Sequence, residues 1–281
     1  MRLVSNVFMV AAAITTVSCS VAGLTTPQYR ESASPIVMLH GLGASRAQFE
    51  AFDAELQAAG CKSLVVDLPG FGAGPSLPDY TIEATDAAVV DAVELSSPYG
   101  MPVTLVGNSM GGLLTMRYAL AWPDRVEQLV LVAPAFWNDS GLGITGEKLA
   151  RGADPRTVED MTAYASRIWS DPSTVDVAKA LADHRAVNSR GAIQGLAPTL
   201  ASGEPGLSED DLQSLDVDTL IVQGADDGIV SLEQSRKLAD TLPSAKLVVM
   251  PDTGHWPQVE SLAEFQARLS DVYDVSACSR S

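Results

Sequence analysis

Residues 103–112 read VTLVGNSMGG, and the chain runs on as LLTMRYALAW to position 122. Val103 to Val106 is the pattern of a buried strand, and beyond Gly111 apolar residues recur at helical spacing. Almost no loop separates the two, so the backbone must reverse within about one residue. Ser109 takes the apex, with Gly107 and Gly111 two positions to either side, where small residues let the two arms pass. Strain at such an apex tends to mark a functional residue. Strand, G-x-S-x-G, then helix is the context of a nucleophile elbow.

Outward from the elbow the same alternation repeats. Strand patterns cover 35–39, 62–70, 126–135, 218–224 and the start of AKLVVMPDTGHW at 245. Helical patterns cover 46–59, a segment capped by Thr81 and reaching Ser96, 110–121, 231–241 and 257–275. Strands alternating with helices predict βαβ units and a mostly parallel sheet flanked by helices, an α/β fold. The alternation breaks once, from Phe136 to Ser214, where helical stretches are irregular (157–169, 173–187, 189–201). Because the sheet pattern then resumes, 136–214 is expected to be a helical cap inserted into a core made of 24–135 and 215–276.

Composition narrows the function. The 281 residues are 46% hydrophobic and carry a formal charge of −17. That acidity excludes a basic nucleic-acid footprint. Met1 to Ser20 reads MRLVSNVFMVAAAITTVSCS, one Arg, an apolar run, then small polar residues, which is the layout of a signal peptide over 1–22. The favoured processing site is a lipobox-like T-V-S-C ending at Cys19, which would place a lipid there and anchor the exported protein to a bacterial membrane at the cell envelope. Cleavage after Ala22, giving a soluble secreted or periplasmic protein, is the alternative. Cys61 and Cys278 remain; spacing alone leaves open whether they pair, and Cys61 reads equally as a small buried hydrophobe. No motif indicates a metal or cofactor.

A serine nucleophile needs a base, an acid to orient it and an oxyanion hole. Three histidines are available. His255 lies in the loop after the last strand, on the edge where loops following parallel strands converge with Ser109. His40, in HGLG, is expected to shape its own loop, and His184, in the insert, to be an exposed cap residue. The acid is Asp226 or Asp227 in GADDGIV, or Asp139 after an earlier strand. Backbone N–H groups of Met110 and, from HGLG, Leu42 can form the oxyanion hole.

The ordered set HGLG, DLPGFG, GNSMGG, GADDGIV and GHWPQVE resembles the α/β-hydrolase superfamily over about 35–275. That resemblance implies a Ser-Asp-His chain order, an acid at Asp227 rather than Asp226, the oxyanion pair Leu42 and Met110, and a lid where the insert lies. The family often has two strands before HG, so at least one is expected to be missing here. Dehalogenases and epoxide hydrolases of the fold use Asp as nucleophile, which Ser109 argues against. The expected activity is that of an esterase or lipase-like serine hydrolase acting on a small ester or acyl substrate. Phe136, Trp137, Met161, Tyr164, Ile168 and Trp169 in the cap would suit an apolar acyl chain. The alternative is a C–C bond hydrolase of ring-cleavage products, with Arg185 or Arg190 binding a substrate carboxylate; a non-catalytic binding protein on the same scaffold is the third reading.

Overall fold

The computed structural model describes residues 33–135, 146–188, 191–202, 206–270, 273 and 278. Cys19, Phe136, Trp137, Asp139 and Arg190, along with the leader and the segment 24–32, lie outside these. Among the described residues one sheet has six strands, β1 Ile36–Leu39, β2 Ser63–Val66, β3 Val103–Asn108, β4 Val126–Val132, β5 Asp218–Gly224 and β6 Ala245–Met250. All neighbouring pairs are parallel, in the order β2-β1-β3-β4-β5-β6.

The apolar runs become strands because both faces of the sheet are covered. Val37 and Leu39 point to one face, where Leu105, Leu131 and Ile221 join them. Ile36 and Met38 point to the other, with Val106, Val132 and Val222. Helices α2 (Ile82–Ser96), α3 (Met110–Ala121) and α9 (Leu232–Thr241) place Val89, Leu114 and Leu238 in the first cluster. Helices α1 (Glu50–Ala58) and α11 (Leu262–Leu269) close the second, where Phe52 meets Phe265 edge to face with ring centroids 5.1 Å apart. Cys61 and Cys278 form a disulfide on this face, tying the end of the chain to the segment before β2.

Between β4 and β5 the described residues form α4 (Gly146–Ala153), α5 (Val158–Ile168), α6 (Val177–Val187), α7 (Ala192–Ser202) and α8 (Glu209–Ser214). Among the element boundaries that differ from the sequence patterns, three have a visible cause. Strand β2 stops at Val66 because the Asp67 carboxylate folds the chain over, accepting hydrogen bonds from the N–H groups of Arg46 and Ala73. The segment 46–59 splits at Phe49 into a 3₁₀ turn and α1. The last helix splits at Ser261 into α10 (Pro257–Glu260) and α11, because Glu260 turns its carboxylate back onto the preceding loop. No helix among the described residues is long and apolar enough to cross a membrane.

Candidate active site

Ser109 sits at the C-terminal end of β3 with φ 53° and ψ −114°, a conformation that costs of order 1–3 kcal/mol and persists only when its surroundings impose it. Here its N–H donates to Val132 O at 3.0 Å, and its carbonyl accepts from Ala135, Gly112 and Leu113 N–H. The flanking glycines are sterically required. A Cβ on Gly107 would lie 2.3 Å from Gly111 O, and one on Gly111 2.2 Å from Leu39 O.

Two other strand-end loops converge on the serine. Ser109, Met110, Leu42 and His255 line one pocket, whose walls are largely apolar, among them Ile82, Leu113, Leu149, Leu200, Ile229 and Val230. His255 Nδ1 lies 2.8 Å from Asp227 Oδ2, and both side chains are buried. The other oxygen of Asp227 accepts the N–H groups of Ile229 (2.7 Å) and Val230 (3.0 Å). Gln223, buried at the end of β5, donates to the first oxygen at 2.9 Å. Burial opposes a charge on Asp227. The adjacent imidazole, its hydrogen bond and the two backbone N–H groups outweigh that and hold the carboxyl below its ordinary range. The neighbour points elsewhere: Asp226 accepts the hydroxyl of Ser170 at 2.7 Å.

Neither the N–H of Leu42 nor that of Met110 has a hydrogen-bond partner among the described residues, and both residues face the pocket with Ser109. Their loops are held by a buried amide relay that sequence patterns did not reveal. Gly41 N–H donates to Gln48 Oε1, Gln48 Nε2 donates to Asn108 Oδ1, and Asn108 Nδ2 donates to the carbonyls of Val132 and His255. The relay thus joins the HGLG loop, the elbow and the His255 loop. Its only sequence signal is a pair of amide residues at positions otherwise reading as core.

His40 is wholly buried beneath its loop. Nδ1–H donates to Gly41 O at 2.8 Å and Nε2 accepts the N–H of Leu68 at 3.1 Å. Burial drives its pKa down to about 4, against the smaller opposing effects of that carbonyl and Asp67, so the ring is neutral and its tautomer fixed. His184 departs from expectation: it is buried rather than exposed. Helix α6 turns it inward against Tyr164 and Asp154, and Asn188 closes over it while donating to Gly43 O at 2.7 Å. Arg185 is exposed, hydrogen-bonded to the carbonyl of Arg156, and is not part of the pocket wall. Of the cap apolar residues, Tyr164 and Ile168 reach the pocket, whereas Met161 and Trp169 pack beside them.

The last residues of α5 are fastened to both loops that carry the His–Asp pair. Arg167 O accepts Gly228 N–H at 3.0 Å and Ile168 O accepts His255 N–H at 2.6 Å. The Glu260 carboxylate binds Ser170 N–H and Gly254 N–H beside them. No cluster of His, Cys, Asp or Glu suited to a metal occurs among the described residues.

A family model described as alpha/beta hydrolase fold matches residues 34–262. The pimeloyl-[acyl-carrier protein] methyl ester esterase of Chromobacterium violaceum is 32% identical over 254 residues, covering 86% of this chain and 95% of that protein. The 2-hydroxymuconate semialdehyde hydrolase of a Pseudomonas species is 28% identical over 267 residues, 89% of this chain and 90% of its own. A thermophilic esterase from Thermogutta terrifontis superposes with a TM-score of 0.71 over 87% of this chain and 91% of that one, at 24% identity, a likeness of fold.

Proposed function

The chain belongs to the alpha/beta hydrolase family, and from that premise we propose that it is a serine hydrolase that cleaves carboxylic esters through Ser109, His255 and Asp227. The observation that carries this reading is a strained Ser109 in one pocket with a His255 whose Nδ1 is engaged by a charged Asp227 at 2.8 Å. With Nδ1–H donated to the carboxylate, Nε2 is left to take the Ser109 proton as Oγ attacks the acyl carbon. The free N–H groups of Leu42 and Met110 receive the oxyanion of the tetrahedral intermediate. Its collapse breaks the ester C–O bond, and His255 returns the proton to the departing alcohol. Water, activated by the same imidazole, then attacks the acyl-enzyme and releases the acid and Ser109.

C–C bond cleavage of ring-fission products is the runner-up, since a relative named for such a substrate is similar over most of the chain. Arg185, one of the two arginines considered for a substrate carboxylate in that reading, lies on the surface and is bonded to a carbonyl. For location, we propose export with a lipid on Cys19. The leader pattern supports it, and a Cys61–Cys278 disulfide suits an oxidising compartment.

Labelling by a fluorophosphonate and hydrolysis of a short p-nitrophenyl ester test the assignment together. Ser109→Ala should abolish labelling and lower kcat by on the order of 10⁴ or more. Retention of more than about a tenth of the rate in a pure preparation would overturn the assignment, since nucleophile and base act as a unit. Absence of labelling in the wild type would favour a non-catalytic role.

A further inference from the structure

The pocket has an electrostatic oddity. The chain carries a formal charge of −17, with 35 Asp and Glu against 18 Lys and Arg. Yet no Asp or Glu is among the described residues that line the pocket, and one arginine is: Arg167, whose guanidinium lies against Gly152 of the same lining. Arg167 is half-buried in the last turn of α5. Its side chain makes no hydrogen bond or ion pair among the described residues. A guanidinium presents five donors, and in a protein this rich in carboxylates a surface arginine readily finds one. Arg156 does, pairing with Asp154, and the guanidinium of Arg185 is engaged by a backbone carbonyl.

The placement of Arg167 is fixed. Its carbonyl is held by Gly228 N–H beside Asp227, and the next carbonyl by the N–H of His255. The side chain lies over Gly152 of α4, where a Cβ would come within 2.8 Å of Nη1. A bare glycine therefore leaves the cradle in which the guanidinium rests. The helix C-terminus favours a positive charge at this position, but it explains neither the open cradle nor a wall free of counter-charges.

We infer that Arg167 is an anion-recognition residue of the substrate pocket, and that the preferred substrates are esters bearing a carboxylate besides the scissile group. This rests on the ester-hydrolase reading and deepens it. A planar guanidinium binds a carboxylate through two parallel N–H···O contacts, which a neutral alkyl group cannot replace. The rest of the wall is largely apolar and suits the methylene chain that joins the two ends of such a molecule. Because the carbonyls of Arg167 and its neighbour Ile168 are bound to the two loops of the His–Asp pair, a carboxylate docked on Arg167 is held at a fixed offset from Ser109.

The test compares kcat/KM for two matched pairs: monomethyl esters of straight-chain dicarboxylic acids against methyl esters of monocarboxylic acids of equal carbon count, and carboxylated against uncarboxylated alcohol portions on one acyl group. The wild type should prefer the anionic member of one pair by about 10-fold or more, a size that allows for a half-exposed site. Arg167→Met should bring that ratio close to one, and Arg167→Lys, which keeps the charge but not the fork, should restore part of it. A second readout is independent of chemistry: calorimetric binding of the anionic ester to the Ser109→Ala protein, which should weaken about 10-fold when Arg167→Met is added. Equal rates for both members of both pairs, or a preference that survives Arg167→Met, would overturn the inference while leaving ester hydrolysis standing. Arg167-dependent binding with no turnover of any ester would instead overturn the hydrolase reading and leave the anion site.

Discussion

Acid should destabilise this protein through His40 before its carboxylates titrate. The ring is wholly buried, accepts the Leu68 N–H through Nε2 and has a pKa lowered from 6.5 to about 4. In the unfolded chain it takes up a proton below about pH 6.5; in the folded protein it does not until about pH 4. Between those values the unfolded state binds more protons, so the stability present above pH 6.5 is lost as the pH falls. A difference of about 2.5 units at about 1.36 kcal/mol each gives a loss of roughly 3 kcal/mol by pH 4. At an m-value of about 2–3 kcal/mol/M, the urea midpoint should drop by about 1 M from this group alone. His184, also lowered by burial, acts in the same direction, whereas Asp86, whose burial raises its carboxyl, acts in the opposite one. Comparison with His40→Gln, which can bridge Gly41 and Leu68 but cannot titrate, isolates the histidine. Urea melts from pH 7 to pH 4 should show the wild type losing roughly 3 kcal/mol more than the variant. Parallel curves would refute a neutral buried ring and with it the hydrogen-bonding roles given to its two nitrogens.

Asp227→Asn should lower kcat by about 10⁴ and Asp226→Asn by at least about 10² less, since only Asp227 reaches His255; ester kinetics on the two folded variants checks this, and a larger loss at Asp226 would reverse the roles. Cys278→Ser should cost on the order of 2–5 kcal/mol, because the disulfide closes a loop with a sequence separation of 217; denaturant melts with and without reductant read the effect, which the variant should no longer show. Cys19→Ala should remove incorporation of a fatty-acid analogue in a bacterial host, and label that persists in the variant excludes that site.

The core of the fold could be read from the sequence because its information is local. The runs at 36–39, 103–106 and 220–222 are buried on both faces, so they are apolar but for Thr104, and the glycines around Ser109 have no alternative because a Cβ there would lie 2.2–2.3 Å from backbone oxygens. What could not be read depends on contacts between distant segments. His184 looks like any polar residue of a helix surface until Asp154 and Tyr164 arrive from other elements to enclose it. Glu260 looks like a helix-surface charge, yet it leaves the helix to bind three backbone N–H groups, and the helix breaks there. The choice between adjacent Asp226 and Asp227 lies beyond composition altogether; family spacing favours the second, whose carboxylate lies 2.8 Å from His255 Nδ1, while that of Asp226 accepts the Ser170 hydroxyl.

The two carbonyls at the end of α5 also constrain how substrate gets in. A flap that opened by swinging α5 outward would have either to break the hydrogen bonds to Gly228 and His255 or to pull the imidazole off its carboxylate. The end of this helix is therefore tied to the loops that carry His255 and Asp227. Those two bonds do not involve α4 and α7, which pack against each other and line the pocket, so a gating motion of that pair would leave the His255–Asp227 contact intact. Substitutions that stiffen that pair should slow admission and release, whereas those that loosen the end of α5 should register as a slower chemical step with little change in how fast substrate arrives.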